Sequence, residues 1–150
     1  MDIRPDDPAA PHVAALLAHH LAELRSVMAT HAFALDATGL STPNVSFWTA
    51  WNDDDLAGFV ALKQLDARHG ELKSMRAAPA ARRTGVGRAL LGHVISVARD
   101  RGYIRLSLET GTAPLHAPAV ALYRSAGFSS CDAFANYAAS PHNQFLALAL

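Results

Sequence analysis

The sequence predicts a mixed α/β fold in which a mostly antiparallel central sheet of about six or seven strands is flanked by helices. Three observations carry that prediction. Strand-like runs at Val45–Trp51, Leu56–Lys63 and Glu71–Met75 follow one another with short polar turns between them, as in an antiparallel meander. Val86, Leu90, Leu91, Val94, Ile95 and Ala98 then recur at helical spacing and give one apolar stripe. Ile104–Glu109 alternates as a strand, placed to pair in parallel with the strand ending near Met75 through a right-handed helical crossover.

The remaining elements follow in order. Asp2–Arg4 reads as a short first strand, closed by Pro5 and the Asp6-Asp7-Pro8 turn. From about His12, the residues Val13, Leu16, Leu17, Leu21, Leu24 and Met28 keep helical spacing, which places His19, His20 and Glu23 toward a solvated polar side. The pattern breaks from Ala29 to Asn44, where Gly39 and Pro43 act as punctuation. Asn52–Asp55 reads as a polar turn, its aspartates solvated, and Asp66–Gly70 as a second turn. Gly102 is placed for a left-handed cap after the central helix. Thr110–Pro114 is loop, and His116–Ala126 a shorter helix ended by Gly127. Phe128 onward and Asn143–Leu148 form a closing antiparallel hairpin, joined by a polar connection that contains Pro141. With no repeat and no linker, residues 1–150 are expected to form one domain.

Composition narrows the function. Apolar residues make up 51% of the chain, which suits a packed core rather than disorder. A formal net charge of zero argues against general binding to nucleic acid or anionic membrane. No apolar run approaches a membrane span, and Met1–Asp7 lacks a secretory apolar region. Cys131 is the only cysteine, so an internal disulfide is impossible and a reducing, cytoplasmic setting is the simpler expectation. The histidines show no metal-ligand spacing, so no metal is expected.

The chemistry concentrates at Arg82-Arg83-Thr84-Gly85-Val86-Gly87-Arg88, which opens the central helix. At a helix N-terminus the backbone N–H groups lack intrahelical partners and the macrodipole is positive, so anions bind there. Glycine allows a bulky anion close to the backbone. Between Glu71 and Asp100 the chain carries Lys73, Arg76, Arg82, Arg83, Arg88 and Arg99 and no carboxylate. In a chain of zero net charge that bias marks a phosphate or pyrophosphate cradle. It is not a P-loop, because the Lys-Ser/Thr pair is missing, nor a Rossmann turn, because Leu90 occupies the third glycine position.

The pattern Arg-x-x-Gly-x-Gly, with a strand before it and an amphipathic helix after it, resembles the acetyl-CoA loop of the GNAT N-acetyltransferases. A second signature agrees. Ala119, Leu122, Tyr123, Gly127 and Phe128 match the family's Asn-x-x-Ala-x-x-Leu-Tyr-x-x-x-Gly-Phe, with His116 in the asparagine position. The segment Phe134–Tyr137 and the Pro141-containing stretch also resemble a subset of that family. The resemblance implies a sheet splayed at the acetyl-CoA site, with acetyl-CoA as co-substrate and an amine as acceptor. It places Met75, Arg76, Arg82, Arg83, Thr84, Gly85, Val86, Gly87, Arg88, His116, Ala119 and Tyr123 along the cofactor, with the Met75 N–H donating to the thioester carbonyl. It implies that Tyr123 is the general acid for the departing thiolate, and a tyrosine is protonated at neutral pH as that role needs.

The base stays open. Of the three glutamates, Glu71 and Glu109 stand at strand ends near the centre of the sheet and rank equally, ahead of His69 and His116. Glu23 lies on the first helix, far in sequence from that centre. Phe47, Trp48 and Trp51 either line an acceptor pocket or alternate on a half-buried strand. The leading expectation is acetyl transfer to an amine of a small molecule or peptide by direct attack in a ternary complex. A non-catalytic acyl-CoA-binding or sensing domain of the same fold is the rival. Homodimers are common in the family, although no stretch singles out an interface.

Overall fold

The computed structural model of the protein describes residues 1–28 and 36–150. Its elements, in order, are β1 (Asp2–Pro5), α1 (Pro11–Met28), α2 (Ala37–Leu40), β2 (Val45–Asn52), β3 (Asp55–Asp66), β4 (His69–Ala77), α3 (Val86–Asp100), β5 (Arg105–Gly111), α4 (Ala117–Ser125), β6 (Ser129–Ser130) and β7 (Asn143–Ala149). Seven strands form one sheet in the order β1-β2-β3-β4-β5-β7-β6. All pairings are antiparallel except β4 with β5, which α3 connects. The mixed, mostly antiparallel sheet flanked by helices is therefore the one expected. Part of the irregular stretch expected from Ala29 to Asn44 lies outside the described residues. At its end Asp36 caps α2 by accepting from the Gly39 amide, and Leu40 is buried.

Period-two alternation sends side chains of each strand to two different cores. On one face Trp48, Val60, Leu62, Leu72, Leu106, Leu108 and Leu146 pack against Val86, Leu90, Leu91 and Val94 of α3 and Tyr123 of α4. On the other, Phe47, Phe59 and Ala61 pack against Val13, Leu16 and Leu17 of α1 and Leu40 of α2. Phe47 and Trp48 thus fill opposite cores, and Trp51 packs with His12 and Arg4 near the first strand. Strand alternation, not an acceptor pocket, explains these aromatics.

Two irregularities shape the centre of the sheet. Between Phe59↔Arg76 and Ala61↔Lys73 the register shifts, so β4 carries one residue more than β3 opposite it. The extra residue is accommodated at Ser74, whose φ of 54° is left-handed, and this bulge re-aims Met75 and Arg76. Gly58 makes the close approach possible, since a Cβ there would sit 2.4 Å from the Arg76 carbonyl oxygen. The second irregularity is the short parallel pairing of β4 with β5, which covers only His69↔Arg105, Gly70↔Leu106 and Glu71↔Ser107. Beyond Glu71 the two strands diverge, while β5 stays paired with β7 as far as Gly111.

Candidate active site

The divergence of β4 and β5 opens a cavity lined by Glu71, Lys73, Ser74, Met75 and Arg76 of β4 and Glu109, Thr110 and Gly111 of β5. His20 and Leu24 of α1, Leu115 and His116 ahead of α4, Ala119 and Tyr123 on α4, and Tyr137 complete it. Because β4 loses its β5 neighbour after Glu71, the backbone edge at Met75 faces this opening rather than another strand.

The wall on the α1 side of the sheet is polar. Glu71 and Lys73, two apart on β4, share a face and are both buried, at 2% and 8% exposure. Tyr137 reaches them from the connection between β6 and β7, donating to Glu71 Oε2 at 2.5 Å. Lys73 Nζ donates to the Tyr137 hydroxyl at 2.6 Å and lies 3.5 Å from Glu71 Oε2. Burial, then the neighbouring Glu71, holds the Tyr137 phenol far above its ordinary range, so it stays protonated. Phe134 and Phe145 pack around the Tyr137 ring and fix it.

Glu109 belongs to the same face of β5 and has a different environment. Among the described residues it accepts one side-chain hydrogen bond, from Asn143 Nδ2 at 3.3 Å. Asn143 is itself held, because its Oδ1 accepts from Ser140 N and Oγ at 2.9 Å and its Nδ2 donates to the Ala138 carbonyl at 3.2 Å. Burial pushes the Glu109 carboxyl up to about 7, with Asn143 and Lys73 opposing and Glu71 reinforcing that shift.

Helix α1 turns His20, expected on its solvated side, into the cavity. His20 is 6% exposed, stacks edge-on against Phe59 with ring centroids 5.7 Å apart, and lines the cavity. Burial, then the Arg76 guanidinium, lowers its pKa to about 4, so it is neutral. Residue 20 continues the stripe of Val13, Leu16, Leu17 and Leu24, so it faces inward and not into solvent. Glu23 also reaches the site despite its distance in sequence. Both terminal nitrogens of Arg76 donate to its two carboxylate oxygens, Nη1 at 3.3 Å, and Arg82 Nη2 lies 3.6 Å away. The Arg76 hydrogen bond is the main reason the Glu23 pKa is lowered.

The glycine loop leads into α3 beside the opening. Gly85 is the N-cap with a left-handed φ of 87°, a conformation glycine adopts without strain. The first intrahelical bond is Ala89 N to the Gly85 carbonyl at 3.0 Å, so the amides of Val86, Gly87 and Arg88 occupy the turn without intrahelical acceptors. Thr84 is tied to the Ala81 carbonyl through its hydroxyl. Arg82, Arg83, Thr84 and Arg88 are exposed around this turn, whereas Val86 is buried in the core. A Cβ on Gly87 would meet Leu122 at 3.2 Å and Met75 at 3.9 Å, so its bare face looks toward the bulge and α4.

The structure therefore brings Glu71, Glu109, Met75, Arg76, His116, Ala119 and Tyr123 to one cavity. His69 instead hydrogen-bonds Ser107 at 2.6 Å where the strands are still paired. Tyr123 is 5% exposed beside Phe128, and burial raises its pKa well above the ordinary phenol range. His116 heads α4 at the end of a short 3₁₀ turn, and burial lowers its pKa. The sequence assigns no site role to Tyr137 or Asn143 and counts Lys73 only toward the basic bias near the glycine loop. Among the described residues no group of three or more His, Cys, Asp or Glu could hold a metal ion, and no helix is long and apolar enough to cross a membrane.

Comparison with known proteins agrees with this geometry. The sequence profile of the Acetyltransferase (GNAT) family matches residues 13–128. The chain is 46% identical to the uncharacterized N-acetyltransferase YedL of Escherichia coli K12, covering 99% of this chain and 94% of that protein. It is 43% identical to the uncharacterized N-acetyltransferase YsnE of Bacillus subtilis 168, covering 97% of each. Among solved structures, the IAA acetyltransferase of Bacillus cereus superposes with a TM-score of 0.73 at 20% identity, covering 99% of both chains. A GNAT acetyltransferase of Elizabethkingia anophelis with acetyl-CoA bound superposes with a TM-score of 0.67 at 18% identity, covering 99% of this chain and 97% of that one. Sequence, sheet topology and relatives converge: the chain belongs to the GNAT family of N-acetyltransferases.

Proposed function

We propose that this N-acetyltransferase moves an acetyl group from acetyl-CoA to a primary amine by direct attack, with Glu109 as general base and Tyr123 as general acid. The observation that carries this reading is the opening between β4 and β5, where Tyr123 and Glu109 line one cavity beside the unpaired edge at Met75. Acetyl-CoA suits the residues present. The free amides of Val86, Gly87 and Arg88, with Arg82, Arg83 and Thr84, would hold the pyrophosphate, and the space around Gly85 is open to it. Met75, His116 and Ala119 would border the pantetheine and thioester.

The amine must be neutral to attack. A carboxylate that titrates at about 7 is half ionised at neutral pH and takes a proton there, directly or through one water. Glu71 is less free for the task, since Tyr137 and Lys73 both donate to its Oε2. Its network shapes the wall and positions whatever the wall binds. As the nitrogen bonds to the carbonyl carbon, the oxygen gains charge, and the Met75 N–H, on the β4 edge that β5 leaves unpaired, would donate to it. The C–S bond then breaks, the amine proton passes to Glu109, and the Tyr123 proton passes to the thiolate. The products are the acetamide and free CoA thiol.

Calorimetric titration with acetyl-CoA, with ATP as control, tests the donor. Selective binding of acetyl-CoA, followed by thiol release with an amine, is the expected outcome. Binding of ATP alone would break the reading.

A further inference from the structure

Seven buried side-chain nitrogen and oxygen atoms have no hydrogen-bond partner among the described residues. Five of them belong to residues lining this one cavity: both ring nitrogens of His20, Ser74 Oγ, Arg76 Nε and His116 Nε2. Buried polar groups are almost always satisfied, so such a concentration marks a place where a polar ligand supplies the missing partners.

The chemistry of the unmet groups is directional. Arg76 Nε–H can only donate, and a neutral His20 ring offers one N–H. Each Arg76 terminal nitrogen donates to Glu23, and Nε is buried with no hydrogen-bond partner among the described residues. His20 lies close enough to Arg76 to feel its charge. These two residues come from α1 and from the strand end after the bulge. His116 and Ser74 lie beside Ala119, Tyr123 and Met75, the part of the cavity given above to the thioester. Glu109 on β5 and Glu71 on β4 also line the cavity. The Arg76 end thus offers unmet N–H donors beside a Glu23 carboxylate that Arg76 already holds, and the β5 side carries the Glu109 carboxylate.

We propose that the acceptor is a small amino carboxylate, whose carboxylate accepts hydrogen bonds from His20 and Arg76 Nε while its amine faces Glu109. The proposal rests on the acetyl-transfer reading and narrows its acceptor. A plain amine satisfies the Glu109 end and leaves both donors empty. An amide in place of the carboxylate offers them no charge.

The test is thiol release from acetyl-CoA with matched acceptors: L-leucine, isoamylamine and L-leucinamide; L-phenylalanine, phenethylamine and L-phenylalaninamide; 4-aminobutyrate and butylamine. At least one amino carboxylate is expected to exceed its matched amine by about tenfold or more in kcat/KM, the scale of a hydrogen bond to a charged group. H20L should collapse that preference, and H20Q, which keeps a donor nitrogen, should restore much of it. Equal or better turnover of the plain amines overturns the proposal, as does a preference that H20L leaves intact. If acetyl-CoA binds in the calorimeter and no member of the panel releases thiol, the acceptor assignment fails and the donor reading stands. If acetyl-CoA does not bind, both fail.

Discussion

Glu71 and Glu109 are the same residue type on the same face of neighbouring strands, and the structure gives them different chemistry. Glu71 accepts from a phenol and an ammonium, so its charge is matched where it is buried. Among the described residues Glu109 has one weak amide donor and no cation within ion-pair distance, and burial raises it to about 7. E109Q is therefore expected to abolish the rise of kcat/KM with pH that the wild type shows through about pH 7. E71Q should lower activity and keep that rise. The two pH profiles of acetyl transfer separate the residues, and a rise that survives E109Q would move the base elsewhere. Tyr123 supplies the complementary case. Since burial keeps its phenol protonated, Y123F should cost about 10²-fold or more in kcat, the usual scale for general acid catalysis, with little change in acetyl-CoA affinity. Equal turnover by Y123F would return the side chain to a packing role against Phe128.

At the scale of elements, α1 is docked onto the sheet by its apolar stripe and by one ion pair. Arg76 is 11% and Glu23 21% exposed at the side chain, so their contact is partly shielded from water. E23A strands the guanidinium, and a loss of roughly 2 kcal/mol is expected from removing one partner of a charged, half-buried hydrogen-bonded pair. Urea unfolding measures it as a lower midpoint at constant slope, and an unchanged midpoint would mean that the apolar stripe alone holds α1. Arg82 also loses its carboxylate neighbour in E23A, so acetyl-CoA should bind more tightly in the variant. These elements also define what the sequence could reveal. Periodicity located the helices and the strand cores outside residues 29–44, because apolar side chains at fixed spacing report burial directly, although His69 and Gly70, read as turn, belong to β4. It placed the glycine loop for the same reason, since a helix start needs little context. It could not report the bulge at Ser74, the early parting of β4 from β5, or Tyr137 lying over Glu71. Those features arise from pairing between segments distant in the chain, and no local pattern encodes them. His20 stood in the apolar stripe and was read by its residue type instead of its position.

At the scale of the whole molecule, the site leaves an imprint on stability. In the unfolded chain Glu109 titrates near the ordinary 4.5, and in the folded protein at about 7. Between those values the folded state holds a proton that the unfolded state has released, so this residue's contribution falls as pH rises through the window. His20 runs the other way. Its ordinary value is 6.5 and its folded value about 4, so the unfolded state binds a proton that the folded state refuses. Its contribution is complete above about 6.5 and is lost as pH falls toward 4. Each span corresponds to at most about 3 kcal/mol, and from pH 4.5 to 6.5 the two slopes oppose each other. The wild type should therefore be nearly flat across that interval as far as these residues are concerned. E109Q removes the falling component: its melting temperature should gain on the wild type with rising pH, reaching several degrees above it at pH 8. H20L removes the rising component, so its stability relative to the wild type should improve as pH falls from 6.5. Thermal melts of the three proteins across this range resolve both slopes, and other carboxylates cancel in the differences. If E109Q and the wild type run parallel, Glu109 titrates as an ordinary glutamate and loses its claim to be the base.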